Sequence, residues 1–248
     1  MNFFQNLESY SQNTAIITDK SERISYSELL AAADNVGSHI EKRGLVFVVC
    51  KNCPESITGY LGFMRANAVV AMIDNTIDEA FFNNLLVAYQ PEYLYLPIEN
   101  PAPKDNYSTI CTHGDYKLLK AESAPDYPLH DDLSVLMSTS GSTGSPKFVR
   151  QSYANINSNA EAIAKYLKIS SSDRPITTLP MSYAYDLSII NSHLLMGASI
   201  VLSEATLVDR GFWGAIKDHR VTTFGGVPFT YEILQKLRFG RMELPSLE

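Results

Sequence analysis

Long hydrophobic runs are absent from this chain. None of its apolar stretches reaches the ~18 residues that a transmembrane helix needs. The N-terminal residues Met-Asn-Phe-Phe-Gln also lack the basic segment with which a secretory signal peptide begins. The sequence therefore predicts no transmembrane segment, and we expect a cytoplasmic protein.

Cysteine is scarce, with three residues among 248, as is typical of a protein from a reducing compartment. Cys50 and Cys53 form a Cys-x2-Cys pair at the end of a strand-like segment. A structural zinc site needs four ligands, and the other Cys and His residues are scattered along the chain. We therefore interpret the pair as two incidental thiols and predict no metal site.

The chain also lacks a surplus of basic residues. It has 20 Lys and Arg against 27 Asp and Glu, a formal net charge of −7. A nucleic-acid-binding protein usually carries a basic face, so the charge argues against a nucleic-acid partner. A content of 45% hydrophobic and 19% charged residues is ordinary for a globular protein of one or two domains.

The most informative segment reads Thr139-Ser-Gly-Ser-Thr-Gly-Ser-Pro-Lys147. It follows an apolar stretch, 133–137, that is typical of a buried strand. Its two glycines allow tight turns and a close approach to a ligand, while its hydroxyl groups and backbone N–H groups can bind an anion. Lys147 adds a mobile positive charge that suits phosphate. The segment therefore predicts a loop that binds nucleotide phosphates.

Three other interpretations fit this loop less well. A P-loop requires a second glycine at position 146 and Ser or Thr after the lysine, where this chain has Pro146 and Phe148. The nucleophile elbow of serine hydrolases requires Gly-x-Ser-x-Gly, which does not occur here. A flexible Ser/Gly linker rarely carries Pro-Lys directly after a strand-like segment.

Hydrophobic periodicity alternates between helix and strand along the chain. Helices are predicted at 29–40, 54–64, 81–89, 155–167, 187–196, 211–219 and 231–237. Strands are predicted at 45–49, 69–73, 93–96, 133–137, 176–179, 199–202 and 221–224. Ser25 and Glu28 form a capping-box pattern for the first helix, and Gly44 is a candidate for its C-terminal end. Residues 97–131 are predicted to be an exposed connection.

This alternation predicts an α/β fold with largely parallel sheets flanked by helices. In open sheets of this kind, ligands bind beyond the carboxyl ends of the strands. The 139–147 loop falls at such an end.

The loop resembles the phosphate-binding signature of the adenylate-forming, or AMP-binding, enzymes. These include acyl-CoA synthetases, the adenylation domains of nonribosomal peptide synthetases and luciferases. Phe148 stands where that family usually has glycine. Further segments resemble family motifs and follow in the family's order: residues 24–29, 61–74, 179–202 and 226–231.

The resemblance implies a ligase that uses ATP and Mg²⁺. It would activate a carboxylic acid as an acyl-adenylate and then pass the acyl group to a thiol, either CoA or the phosphopantetheine arm of an acyl or peptidyl carrier protein. It also implies the phosphate-contacting residues Thr139, Ser140, Gly141, Ser142, Thr143, Gly144 and Lys147. The resemblance points to no catalytic residue within this chain.

For the acid pocket, the resemblance implicates Tyr183, Asp186, Gly225 and Gly226. Tyr183 stands where many acyl- and aryl-CoA ligases have histidine. Asp186 stands where amino-acid-activating domains place the aspartate that pairs with the substrate ammonium, and this slightly favours an amino-acid-like substrate. An alternative is that Asp186 only caps the following helix. Gly225 and Gly226 are candidates for the pocket floor, and their alternative is a plain strand-to-helix turn.

The resemblance extends over almost all of the chain but over only the N-terminal part of the family's large domain. In the family's sequences, further elements lie downstream of the segment that resembles 226–231: the adenine-binding segment, the ribose-binding aspartate, the hinge and the catalytic lysine. We therefore expect residues 1–248 to be an incomplete adenylation domain that is inactive and self-associates when isolated. The alternatives are a non-catalytic nucleotide- or ligand-binding fragment and a CoA ligase for a fatty or aryl acid.

Overall fold

The computed structural model describes residues 3–101, 103, 106–125, 128–138 and 147–247. The helices in these ranges are α1 (Tyr26–Gly37), α2 (Pro54–Arg65), α3 (Glu79–Tyr89), α4 (Tyr153–Leu167), α5 (Ala184–Leu195), α6 (Arg210–Asp218) and α7 (Pro228–Lys236). The strands are β1 (Thr14–Ile17), β2 (Arg23–Ser25), β3 (Leu45–Cys50), β4 (Val69–Asp74), β5 (Tyr93–Pro97), β6 (Tyr107–His113), β7 (Tyr116–Ala121), β8 (Leu133–Ser138), β9 (Phe148–Ser152), β10 (Pro175–Ile176), β11 (Ile200–Val201) and β12 (Thr223–Phe224).

A seven-stranded sheet has the order β6-β7-β5-β3-β4-β8-β9. Its central strands β5, β3, β4 and β8 run parallel, whereas β7, β6 and β9 join antiparallel at the edges. Every residue of β3 is buried, as expected for a parallel strand covered by helices on both faces. The carboxyl ends of β4 and β8 lie side by side, because Met72 pairs with Met137.

A five-stranded sheet has the order β12-β10-β11-β1-β2. All of its pairings are parallel except that of β1 with β2. Three of its strands contain only two residues each. The prediction of largely parallel sheets flanked by helices is confirmed.

The two sheets share a layer of helices. One face of β3 (Val46, Val48) and one face of the small sheet (Ile16, Ile200) contribute to a single core with α1, α2, α4 and α5. The other face of the large sheet, which includes Phe47, packs on α3. The other face of the small sheet packs on α6 and α7. The order of layers is therefore helix, sheet, helix, sheet, helix.

Local sequence signals explain where α1 begins and ends. The Ser25 hydroxyl accepts a hydrogen bond from the Glu28 backbone N–H, and the Glu28 carboxylate accepts one from the Ser25 N–H, so the predicted capping box is confirmed. Gly44 was the candidate for the C-terminal end of this helix, but the helix ends earlier, at Gly37. The Ser38 hydroxyl donates to the Asn35 carbonyl at 2.7 Å, which satisfies that terminal acceptor without another helical turn.

Two segments differ from the prediction. The stretch 97–131 was predicted to be a connection, but it contains the hairpin of β6 and β7. The exposed strand β6 alternates weakly and is rich in polar residues, so its sequence carries little strand signal. Strand β9 was also missed, and its antiparallel pairing with β8 brings Phe148 opposite Ser138.

None of the helices among the described residues has both the length and the apolar character required to cross a bilayer.

Candidate functional site

A cavity of about 760 Å³ lies where the carboxyl ends of β4 and β8 face the small sheet. The large sheet contributes Asp74 and Ser138 to its lining, and helix α3 contributes apolar side chains. The opposite wall comes from the chain that follows β10. We call residues 177–183 the connecting segment, because they join β10 to α5. This position, beyond the carboxyl ends of parallel strands, is the one that the fold class predicts for a ligand.

The predicted phosphate loop borders this cavity at its two ends. Thr139, Ser140, Gly141, Ser142, Thr143 and Gly144 lie outside the described residues. Ser138 and Lys147, which stand on either side of residues 139–146, both line the cavity. Because β8 and β9 are paired, the two ends of the loop are held close together. The exposed Lys147 therefore places a positive charge at the cavity wall.

Tyr183 lines the same cavity and is half exposed. It is the N-cap residue of α5, and its backbone N–H donates to the Pro180 carbonyl at 2.9 Å. Because its side chain is half exposed at the cavity wall and makes no capping hydrogen bond, its phenol is accessible from the cavity. The structure thus brings together two of the predicted site residues, Lys147 and Tyr183, from different parts of the fold.

Asp186 lies in the first turn of α5 and is completely buried. Neither of its carboxylate oxygens has a hydrogen-bond partner among the described residues. Burial raises the pKa of Asp186 to about 7. The backbone N–H groups of Thr178 and Leu179 lie nearby and partly offset this rise, but they do not reach hydrogen-bond geometry. The suggestion that Asp186 caps the helix is wrong, since Tyr183 occupies the N-cap position and Asp186 stands three residues later.

Asp186 does not line the cavity, but its neighbour Tyr185 does. Tyr185 also lines a second cavity, of about 600 Å³, between β9, α4 and α5. Its side chain therefore forms part of the wall between the two spaces, and its hydroxyl accepts a hydrogen bond from the Gly226 backbone N–H at 3.2 Å.

Gly225 and Gly226 follow β12 and support this tyrosine. A Cβ atom on Gly225 would meet Ile189 Cδ1 at 2.6 Å and the Tyr185 ring at 2.9 Å. A Cβ atom on Gly226 would meet Thr230 at 2.7 Å. The space above Gly225 is thus occupied by Ile189 and Tyr185, so a ligand that enters it must displace one of them.

The Cys50–Cys53 pair has ordinary structural surroundings. Cys50 is buried, and its Sγ lies 3.2 Å from the Val48 carbonyl oxygen, while Cys53 is the N-cap residue of α2. Burial raises the pKa of both thiols, which keeps them protonated. Throughout the described ranges, no three Cys, His, Asp or Glu side chains come together as metal ligands.

Hydrogen bonds between the two sheets were not foreseen from the sequence. The Ser182 hydroxyl donates to Asp74 Oδ2 at 3.3 Å, and the Asn52 amide donates to the carbonyl of Leu179 at 3.0 Å. Asp74 ends the buried strand β4, and Asn52 follows the buried strand β3. The sequence carries one signal for these hydrogen bonds, which is that polar residues stand at the ends of neighbouring parallel strands.

Comparisons with known proteins show which family this chain belongs to. The sequence profile described as "AMP-binding enzyme" matches residues 3–248. The chain is 25% identical over 206 residues to 2-succinylbenzoate–CoA ligase of Bacillus velezensis, covering 81% of this chain and 42% of that protein. It is 25% identical over 231 residues to a linear gramicidin synthase of Brevibacillus parabrevis, covering 89% of this chain and 3% of that protein.

Among solved structures, the chain resembles o-succinylbenzoate-CoA synthetase of Bacillus subtilis in complex with the acyl-adenylate intermediate OSB-AMP. The TM-score is 0.76 at 20% identity, and the match covers 95% of this chain and 64% of that one. At this identity the likeness supports the fold alone. The chain spans less than half the length of the two curated relatives named above.

We expect Asp186 to make folding stability depend on pH. Its pKa is about 7 in the folded chain and about 3.9 when unfolded, so between these values only the folded state keeps the proton. The free energy of unfolding should therefore fall by roughly 3–5 kcal/mol, relative to Asp186→Asn, as pH rises from about 4 to about 8. Urea denaturation of both proteins across this range measures the difference. Parallel pH profiles of the two proteins would contradict the assignment.

Proposed function

Because the chain belongs to the AMP-binding enzyme family, we propose that it serves the ATP-dependent activation of a carboxylic acid as an acyl-adenylate. The observation that carries this proposal is the cavity of about 760 Å³ between the sheets. Lys147 and Ser138, at the ends of the phosphate-type loop, line one side of it, and Tyr183 lines the other. A nucleotide phosphate and an acid carboxylate could thus meet within one space.

The proposed reaction has two steps. A carboxylate oxygen attacks the α-phosphorus of ATP, the bond from that phosphorus to the bridging oxygen breaks, and pyrophosphate leaves. A thiol then loses its proton to solvent and attacks the acyl carbon as the thiolate, so that a C–S bond forms and AMP leaves with the electron pair of the broken C–O bond. The first step joins two anions, so positive charge and N–H donors must offset their repulsion. Lys147 is the described residue that supplies such a charge at this cavity.

ATP is expected to arrive with Mg²⁺. Magnesium usually keeps several waters and binds to phosphates and to one or two carboxylates, not to a cage made wholly of protein ligands. The single carboxylate of Asp74 at the cavity wall fits that requirement. When bound, the ion would neutralise phosphate charge.

We favour an amine-bearing acid as the substrate because of Asp186. A buried carboxyl without a hydrogen-bond partner is costly, and a substrate ammonium would supply both charge and donors. We propose that a substrate ammonium reaches Asp186 by displacing Tyr185, which lines the cavity and whose hydroxyl accepts a hydrogen bond from the Gly226 backbone N–H. A CoA ligase for fatty or aryl acids and a non-catalytic ligand-binding fragment are the other outcomes of the test below. The acceptor thiol would belong to CoA or to a carrier protein.

For the phosphate contact, we expect Lys147→Ala in the full-length enzyme to lower kcat/KM for ATP by about 10²-fold, because it removes a preorganised cation. The dissociation constant of the acid should change little. Pyrophosphate release at saturating acid measures the effect, and Lys20→Ala, which removes an exposed lysine that does not line the cavity, is the control. Wild-type kinetics in Lys147→Ala would remove this residue from the site.

For the substrate ammonium, we expect Asp186→Ala to weaken ATP–pyrophosphate exchange with amine-bearing acids by roughly 3–5 kcal/mol, since one partner of a buried ion pair is lost. In the wild type this exchange should increase as pH rises through about 7, because the Asp186 carboxyl must ionise to pair. The same acids without their amino group are the matched control. If only simple fatty or aryl acids support exchange, the amino-acid assignment is wrong.

We also propose that residues 1–248 form the N-terminal part of a longer adenylation domain, which is supported by the greater length of the relatives. Within the described part of the chain, strand β12 is an edge of the small sheet, and Phe229 and Tyr231 in the following helix α7 are 64% and 63% exposed. We therefore expect the isolated chain to self-associate and to bind ATP·Mg²⁺ weakly without forming an adenylate. Light scattering and calorimetry check this, with Phe229→Ser/Tyr231→Ser as a less associating variant. A strictly monomeric, active chain would refute it.

A further inference from the structure

Asn52, which lies between Cys50 and Cys53, contacts the chain that forms one wall of the candidate site. Its side-chain Nδ2 donates hydrogen bonds to the carbonyl oxygens of Leu179, at 3.0 Å, and Ser203, at 3.3 Å. Asn52 follows β3 in the large sheet, whereas Leu179 and Ser203 follow β10 and β11 in the small sheet. One amide group therefore bridges the two sheets at the edge where the cavity lies.

The chemistry of this bridge requires an amide in one orientation. Two carbonyl oxygens can share the two hydrogens of a single NH₂ group, and no other uncharged side chain of this size offers two such donors. The reverse orientation would place Oδ1 against two carbonyl oxygens. In the observed orientation Oδ1 is buried and has no hydrogen-bond partner within the described part of the chain. The bridge is therefore kept at the cost of an unsatisfied acceptor.

The bridge ends on residues that form the candidate site. Leu179 lines the cavity, and its backbone N–H lies beside the Asp186 carboxyl. Three residues further along, Ser182 donates to Asp74 on the large sheet, and Tyr183 then caps the start of α5. Movement of the Leu179 carbonyl would therefore also shift the Tyr183 phenol and the groups around Asp186.

We propose that Asn52 is a positioning residue for adenylation, which holds the connecting segment so that Tyr183 faces the acid and the backbone N–H groups beside Asp186 stay in place. This inference rests on the proposed function. Asn52 does not itself line the cavity. It acts through Leu179, so its loss should impair the use of the acid more than the binding of ATP.

The test compares Asn52→Leu with Asn13→Leu in the full-length protein. Asn13 is a matched control, because its Nδ2 also donates to a distant backbone carbonyl, that of Gly197 at 3.0 Å, away from the cavity. Hydrogen exchange followed by mass spectrometry reports on the backbone N–H groups of residues 178–183, apart from Pro180, which has none. ATP–pyrophosphate exchange gives kcat/KM for the acid and for ATP separately.

We expect Asn52→Leu to lose exchange protection in the connecting segment and to lower kcat/KM for the acid by about 10²-fold, as for a misplacement of about 1 Å. KM for ATP should remain close to the wild-type value. Asn13→Leu should leave all three quantities unchanged. If Asn52→Leu does not fold, Asn52→Gln keeps the amide but displaces it by one methylene, and the same split between acid and ATP is expected.

Unchanged protection of residues 178–183 in Asn52→Leu would overturn the inference. So would lost protection with an unchanged kcat/KM for the acid, because the bridge would then be structural only. If no carboxylic acid supports ATP–pyrophosphate exchange by the wild-type protein, the proposed function fails and the positioning role fails with it. The hydrogen-exchange data would still establish whether the bridge holds the segment.

Discussion

The candidate site depends on hydrogen bonds that hold the connecting segment between the two sheets. Strand β10 has only two residues, so the ladder of the small sheet fixes little of the chain beyond it. Beyond the ladder, side chains hold the segment to its neighbours. The Thr178 hydroxyl donates to the Gly225 carbonyl at 2.9 Å, and the Thr177 hydroxyl donates to the Ser203 carbonyl and accepts from the Ser203 N–H. Asn52 and Asp74 then join the same segment to the large sheet. These contacts join the two walls of the cavity.

Asp186 is the second constraint. Its burial costs folding free energy, whereas the hydrogen bonds of the connecting segment stabilise the fold. The connecting segment is held by hydrogen bonds within the protein, whereas the Asp186 carboxyl, like the Asn52 Oδ1 atom, is buried without a hydrogen-bond partner in the described residues. Its raised pKa means that a neutral acid and a carboxylate are both populated near neutral pH. A group with this balance can pair with a cationic ligand in its ionised form. Strongly perturbed carboxyl groups of this kind are concentrated at functional sites.

Much of the architecture could be predicted from local patterns. The buried parallel strands β3 and β4 and the capped helices α1 and α3 have strong periodicity and clear start signals, so their positions were close to those observed. The hairpin of β6 and β7 was not, because its exposed edge strand β6 lacks the apolar alternation that identifies a strand. The short strands β10 and β12 were predicted too long, since tertiary contacts and not local propensity end them.

The sequence by itself determined the family and the fold class, because both depend on residue type and order along the chain, and it predicted the residues of the candidate site. The tertiary structure decided which of them meet. Lys147 and Tyr183 share a cavity because β8 and β10 belong to different sheets, and the segments that follow the two strands line the same space. Asn52 has a role only because its amide reaches carbonyl groups 127 and 151 positions away. Such contacts have no local signal, since loop closure and packing over the whole chain set their distances.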